Sequence, residues 1–476
     1  MTLPQPPSQD AAVGPVPAAA VVGVLAPWLP AQRWYPVKGV ATRVQLVRTI
    51  PLAPGVASLL LDVTRAPDGG TPLPGSPGPE APLLHVPVVV EPAPADGRVV
   101  PASAVGTLVR DGLTYVVHDG ARHRAFWAAV LAVAGWEDGG MGATRAAAVP
   151  DLAGARVVAG EQSNTSVLMP QVAGGAILKV LRTVAPGPNP DLDVPRALAR
   201  TGWHGVPRPL AWWSVDAPGG APEEPVELHL AILSELVPRA DDGFELACAF
   251  AGRAASFAEH AAALGTLVGQ LHAALRRAYG TGPVVDGAWL VDDLRARAVR
   301  AVGEAPVLAR REASIAAVHA RAEAVLAAWG DRHALPRLQR IHGDLHLGQV
   351  LHGADGWRVL DFEGEPLRPV AERTRPDLAL RDAAGMLRSF DYAAAVGRAH
   401  GTRWASDARE AFWGAYRAGS GGEPAPPVPA GGQDELLAAL ELDKALYEVV
   451  YEVRNRPDWV GIPLAGVDRI LERFAG

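Results

Sequence analysis

The residues best suited to chemistry lie in one stretch, IHGDLHLGQVLHGADGWRVLDFEGEP, residues 341–366. An apolar residue leads into His342-Gly343-Asp344. Gln349 follows five residues after Asp344, and a short strand, WRVL, ends in Asp361-Phe362-Glu363. This is the layout of a phosphoryl-transfer loop followed by a metal-binding loop. The first aspartate orients an attacking hydroxyl and accepts its proton. An amide oxygen on the same loop, and a carboxylate after the next strand pair, can ligate Mg2+. A rival chemistry is metal hydrolysis, because His342 and His346 stand four apart. On a helix that spacing turns both rings to one zinc ion. Gly343 and the flanking strands weigh against such a helix. An ordinary Asp-rich turn is the remaining alternative.

Phosphoryl transfer also needs backbone to cradle phosphates, and a cation. Residues 160–168 read GEQSNTSVL between two strand-like runs. The backbone N–H groups and hydroxyls of Gln162, Ser163, Asn164, Thr165 and Ser166 could cover ATP phosphates. Lys179 follows inside the apolar run AILKVL. A lysine there is costly to bury unless paired, and it stands where the lysine contacting the α- and β-phosphates is expected. An edge-strand lysine with its amine in water is the structural alternative. Of the 44 basic residues only Lys38, Lys179 and Lys444 are lysine. Where lysine persists, a compact ammonium is favoured over a guanidinium. Asp193 is the expected carboxylate partner of Lys179, with Asp191 as rival and helix cap. The strand LAILSELV, residues 230–237, leads to a hinge whose backbone from Glu235 to Val237 is expected to meet adenine.

These groups need a scaffold. The runs TRVQLVRTI, ASLLLDVT, LLHVPVVV and GLTYVVHD within 42–118 predict strands, and 121–135 predicts a helix. Further strands are expected at ARVVAG, SVLMPQV, GAILKVLR and LHLAILSELV. From about 240 onward helical periodicity takes over, at 254–278, 290–329, 378–400, 404–418 and 433–455. Pro/Gly-rich stretches at 66–82, 216–225 and 418–432 read as mobile surface loops.

Composition closes off other classes. The 476 residues are 49% hydrophobic, which excludes a wholly disordered chain. The net charge of −7 argues against a protein that coats nucleic acid or an anionic membrane. The lone Cys248 excludes intramolecular disulfides and cysteine zinc sites, and its apolar neighbours suggest a buried, unreactive thiol. No apolar run reaches the ~20 residues of a membrane span. A polar, Pro-rich N-terminus without a positive region is unlike a signal peptide. The expected protein is soluble, cytoplasmic and monomeric, with no nucleic-acid or membrane partner.

Together these residues resemble the actinobacterial maltokinases, a branch of the aminoglycoside-phosphotransferase-like kinases. The matching stretches are QRWYPVKG (32–39), GEQSNTSVL (160–168), HGDLHLGQVL (342–351), DFEGEP (361–366), LRDAAGMLRSFDYAA (380–394) and YEVVYEVRNRPDWVGIPL (447–464). The resemblance implies an α+β, bilobal protein-kinase-like fold. Its parts would be an N-terminal cap subdomain over 1–120, a kinase-like N-lobe subdomain over 121–237 and a mostly helical C-lobe over 238–476. It implies ATP as co-substrate, Mg2+ as cofactor and transfer of the γ-phosphate to the anomeric hydroxyl of maltose. The product, maltose 1-phosphate, would enter α-glucan (glycogen) synthesis. An association with a maltose-supplying enzyme stays open. By resemblance Asp344 is the base, Gln349 and Asp361 are the Mg2+ ligands, and Lys179 contacts phosphates. The family usually has Glu where Asp193 stands. It also has Gly-Lys-Gly where this chain reads Pro36-Val37-Lys38-Gly39, which weakens any role for Lys38.

On a helix, Lys444, Tyr447, Tyr451 and Arg454 share one stripe. Two tyrosines and an arginine there suit a disaccharide, and packing into a core is the alternative. His342, beside the base, is expected to help hold the acceptor sugar. A same-fold kinase of glucosamine or an aminoglycoside is the other reading, since Glu363, Glu365, Glu448 and Glu452 could receive a cationic acceptor. The intact set of Lys179, Asp344, Gln349 and Asp361 argues against a pseudokinase.

Overall fold

The computed structural model describes residues 12–37, 41–65, 83–94, 104–137, 150–158, 163–218, 226–331, 335–365, 373, 375–399, 401–418 and 432–474. Lys38, Gln162, and most of the three Pro/Gly-rich stretches lie outside the described residues. The chain forms two compact units. One holds residues up to Leu192 together with Arg208–Leu236, and the other holds Asp193–Pro207 and Val237 onward. Residues 193–207, expected in the N-lobe, thus belong with the helical part.

The first unit carries two antiparallel sheets. Strands β1 (Thr42–Ala53), β2 (Val56–Arg65), β3 (Leu83–Pro92), β4 (Ala104–Arg110) and β5 (Leu113–Asp119) build one sheet, in the order β1-β2-β3-β5-β4. Strand β4 was not expected. Its exposed, Gly-containing sequence has a weak alternation. Strand β3 is buried on both faces from Leu84 to Val90, which is why LLHVPVVV reads as a continuous apolar run. Helix α1 (Arg124–Val133) buries Phe126, Trp127, Val130 and Leu131. The second sheet runs β6-β11-β12-β9-β8-β7. Its strands are β6 (Gly135–Trp136), β7 (Arg156–Val157), β8 (Asn164–Met169), β9 (Ala176–Leu181), β11 (Pro209–Asp216) and β12 (Glu227–Glu235). A two-residue strand, β10 (Thr183–Val184), pairs with β3 and ties the two sheets.

Two buried polar contacts hold that seam. Arg182, with no exposed surface, donates from Nη2 to both carboxylate oxygens of Asp119, at 2.8 Å to Oδ1 and 2.6 Å to Oδ2. The ring of Trp34 lies 4.4 Å from its guanidinium carbon. Part of the QRWYPVKG stretch therefore serves packing: Trp34 covers Arg182, and buried Tyr35 shares a 2.6 Å hydrogen bond with Thr42. Nearby, buried His85 donates from Nδ1 to the Leu181 carbonyl at 2.6 Å, and its Nε2 lies 2.9 Å from the Ser58 hydroxyl.

Burial pulls the His85 imidazole down to about 3. The unfolded chain binds that proton near pH 6.5, whereas the folded chain stays neutral down to about pH 3. Stability is therefore lost as pH falls through that window. Between pH 7 and pH 5 the loss is about 2 kcal/mol from this residue alone. Denaturant melts at the two pH values should show the slope, and His85→Asn should flatten it. An unchanged slope in the variant would remove His85 as its cause.

The second unit is mainly helical. Its helices after α2 (Pro190–Arg200) are α3 (Gly243–Gly252), α4 (Ala258–Tyr279), α5 (Gly287–Glu304), α6 (Glu312–Asp331), α7 (Leu380–Val396), α8 (Trp404–Ala418), α9 (Gly432–Asn455) and α10 (Gly461–Arg473). The helical run expected over 290–329 is broken at Pro306, where a 3-10 turn, Pro306–Arg311, separates α5 from α6. The final helix α10 was not foreseen. Cys248 is half-buried rather than buried, and burial together with Asp242 and Glu245 pushes its thiol up to about 11.

Candidate active site

In the second unit a short hairpin sets the site. Strands β13 (Val350–Gly353) and β14 (Gly356–Val359) pair Val350 with Val359. That register brings Gln349 opposite Leu360, whose N–H donates to the Gln349 carbonyl at 2.8 Å. Asp361 is the next residue, and Gln349 Nε2 donates to Asp361 Oδ2 at 3.1 Å. Asp361 holds a left-handed backbone, φ +59°, which a non-glycine residue adopts at a cost of about 1–3 kcal/mol. The turn brings the Gln349 side-chain amide against the Asp361 carboxylate through its nitrogen, so the amide must turn over for its oxygen to join the carboxylate as a hard donor to Mg2+.

The loop bearing Asp344 is braced from helix α7. Asp382 accepts from the backbone N–H of His342 at 2.8 Å and of Gly343 at 2.9 Å. Its Oδ2 also meets His272 Nε2 at 3.0 Å, and Tyr416 Oη meets His272 Nδ1 at 3.0 Å. Burial would raise the Asp382 carboxyl. The His272 hydrogen bond, nearby imidazoles and the Gly343 N–H outweigh it and hold the carboxyl below its usual range. Two turns on, the Ser389 hydroxyl accepts from Leu347 N–H at 3.1 Å. Between these two points Gly385 lets the helix touch the loop, since a Cβ there would stand 2.4 Å from the Leu345 carbonyl oxygen. Gly343 itself turns the loop at φ +89°.

Asp344 meets an unexpected partner. Lys444 Nζ, on α9, donates to Asp344 Oδ1 at 2.9 Å and to Glu365 Oε1 at 2.7 Å. Burial acts to lower the Lys444 ammonium, but Asp344, Glu365 and Glu448 prevail and hold it well above an ordinary lysine. The Tyr447 ring lies 4.8 Å from Nζ.

Other expected sugar contacts are placed differently. Arg454 is exposed and pairs with Glu304 at 2.7 Å, away from the Asp344 cluster. Tyr451 lies against the Arg456 guanidinium, 5.5 Å from its carbon. His342 is buried, and its ring serves the loop: Nε2 donates to the Leu360 carbonyl at 2.8 Å and Nδ1 accepts from Asp344 N–H at 3.3 Å. It has no ring nitrogen left for a sugar. The zinc alternative also fails here. His346 Nδ1 accepts from Gly348 N–H at 3.0 Å, the segment is not helical, and no potential metal cluster among the described residues contains both histidines.

In the first unit, register places Lys179 opposite Ser166 on one side and Ile232 on the other. Its ammonium pairs with Asp191, the rival to Asp193 as its partner. Helix α2 begins at Pro190, with the Asn189 side chain accepting from Asp191 N–H at 2.9 Å, so Asp191 stands in the first turn. Asn164 and Thr165 are buried in β8 and serve Arg182. The Asn164 Oδ1 accepts its N–H at 3.3 Å and the Thr165 hydroxyl accepts its Nε–H at 3.0 Å. They therefore do not offer side chains to phosphates. Ser163 is exposed at the start of the strand, and Ser166 is buried. At the hinge, Glu235 N–H and Leu236 N–H donate to the Arg208 and Gly175 carbonyls, so two of the three expected adenine donors are occupied. The Glu235 carboxylate binds Arg208 at 2.9 Å, and the chain passes between the units at Val237.

The architecture has relatives. A solved structure of a glucosamine kinase in complex with glucosamine, ADP and inorganic phosphate matches with a TM-score of 0.59 at 24% identity, over 94% of this chain and 98% of that one. A glucosamine kinase of Mycolicibacterium smegmatis is 30% identical over 342 residues, 67% of this chain and 80% of that protein. One from Streptacidiphilus jiangxiensis is 31% identical over 351 residues, 67% of this chain and 74% of that protein. The fold is the α+β protein-kinase-like fold of these enzymes. A family model described as the maltokinase N-terminal cap domain matches residues 28–122. The chain belongs to the maltokinase-like family of kinases.

Proposed function

We propose that the protein is an ATP-dependent maltose 1-kinase, forming maltose 1-phosphate for α-glucan synthesis. The observation that carries phosphoryl transfer is the braced loop, with Asp344 held by Lys444 and Gln349 beside Asp361. Lys444 occupies Asp344 Oδ1, so Oδ2 is the oxygen that orients the acceptor hydroxyl and takes its proton. Gln349 and Asp361 would hold Mg2+, which shields the phosphate charges. Lys179, kept in place by Asp191, would contact the α- and β-phosphates. The Ser163 end of β8 would cover the phosphates, and Val237 would meet adenine. Tyr447 offers the ring face nearest Asp344's partner and would stack on the sugar.

The match to the maltokinase cap supports maltose as acceptor. Glucosamine is the second reading, favoured by the names of the relatives. ADP release by purified protein with Mg-ATP, across maltose, glucosamine, glucose, trehalose and kanamycin, separates them. Strong turnover with maltose alone is the expected result. Turnover confined to an amino sugar would keep the fold and overturn the acceptor.

A further inference from the structure

Three of the glutamates suited to a cationic acceptor are engaged by cations of the chain itself. Glu365 takes the Lys444 ammonium at 2.7 Å. Glu448 takes the Arg388 guanidinium at 2.8 Å. Glu452 takes Arg456 at 2.7 Å. Around them, Asp443 is shared by Arg297 and Arg381, each at 2.7 Å, and Asp382 is filled by two backbone N–H groups and His272. Each of these carboxylates already has an internal donor. Lys444 is the donor that reaches the base itself, and its side chain is only 15% exposed. It is one of three lysines in a chain that otherwise uses arginine. Its single nitrogen bridges the two carboxylates.

We propose that Lys444 makes the acceptor subsite selective for neutral sugars, by occupying the place an acceptor ammonium would take between Asp344 and Glu365. The inference rests on Asp344 being the residue that faces the acceptor. Two carboxylates and one ammonium leave a single negative charge, which is what a base needs to receive a hydroxyl proton. A neutral polyol enters with hydrogen bonds alone. An amino sugar brings a second cation to a place between the two carboxylates that Lys444 already fills, and meets that ammonium at close range. Removal of the ammonium leaves Asp344 and Glu365 facing each other, and a ligand amine would then relieve their repulsion.

Glucose and glucosamine test this, because they differ only in the substituent at C2. In full-length Lys444→Met, the ratio of kcat/KM for glucosamine to that for glucose should rise at least tenfold over wild type. Lys444→Arg, which keeps the charge, should stay within threefold of the wild-type ratio. A residue that merely anchors α9 would lower both sugars together and leave the ratio unchanged, and that result overturns the proposal. If Lys444→Met turns over no sugar, calorimetric titration of both sugars in the presence of a non-hydrolysable ATP analogue takes the place of turnover. A tenfold preference for glucosamine appearing only in the variant sustains the inference, and equal binding overturns it. Wild-type turnover of glucosamine in preference to maltose would sink the acceptor reading and this inference with it. Wild-type turnover of maltose with an unchanged ratio in Lys444→Met would remove this inference alone.

Discussion

Asp344→Asn should reduce turnover by roughly 10²–10⁴-fold, the usual worth of a positioned general base. The substitution removes the proton acceptor and almost nothing else. Lys444 keeps its 2.7 Å bond to Glu365, so the amide leaves no buried ammonium without a carboxylate. The loop keeps its two backbone bonds to Asp382. Denaturant midpoints and ATP affinity should therefore stay at wild-type values while ADP release collapses. Near-wild-type turnover would take Asp344 out of the base role. A loss of stability alongside the loss of turnover would mean that the Lys444 contact holds the fold.

Arg388→Met should cost about 3–5 kcal/mol of stability, the penalty for removing one partner of a buried ion pair. Arg388 has no exposed surface, and it binds Glu448 at 2.8 and 3.0 Å and Asp391 at 2.7 Å. Asp391 retains Arg409 and Arg469, so the orphan is Glu448. Burial already raises the Glu448 carboxyl against the pull of Arg388, and without the guanidinium it should rise further and take up a proton. Methionine roughly fills the volume, which isolates the charge effect from a cavity. Adding Glu448→Gln to Arg388→Met should recover more than half of the loss, read as a shift in the denaturant midpoint. A double variant no more stable than the single would show that packing, not charge, dominates at this position.

The sequence readily exposed groups whose partners lie close along the chain. Gln349 and Asp361 fall together because the intervening hairpin is short, and Lys179 stood out as a cation in an apolar strand. The choice between Asp191 and Asp193 turned on where helix α2 begins, and its start at Pro190 sets Asp191 in the first turn against Lys179. Asn164 and Thr165 looked like a phosphate-covering turn, but the strand begins at Asn164 and buries both against Arg182, a neighbour 17 and 18 residues away. His342 looked available to a sugar because its acceptor, the Leu360 carbonyl, lies 18 residues on. The helical stripe found Lys444 and Tyr447 correctly as a face. It could not show that Lys444 reaches across 100 residues to Asp344, or that Arg454, nearly three turns on, has drifted to solvent and Glu304. Side-chain pairing at long range leaves no periodic trace, which is why the carboxylates could be counted but not assigned.

Helix α7 imposes an order on how this chain can mature. It braces the Asp344 loop through Asp382, Gly385 and Ser389. The same helix carries Arg388 and Asp391, whose partners Glu448 and Arg469 follow 60 and 78 residues later. A nascent chain that has made α7 but not α9 and α10 holds ions it cannot yet bury together. Those ions are matched only where α7, α9 and α10 come together. The brace on the Asp344 loop and the buried ions of the C-terminal helices thus share one helix, so a change at either end of α7 is felt at both.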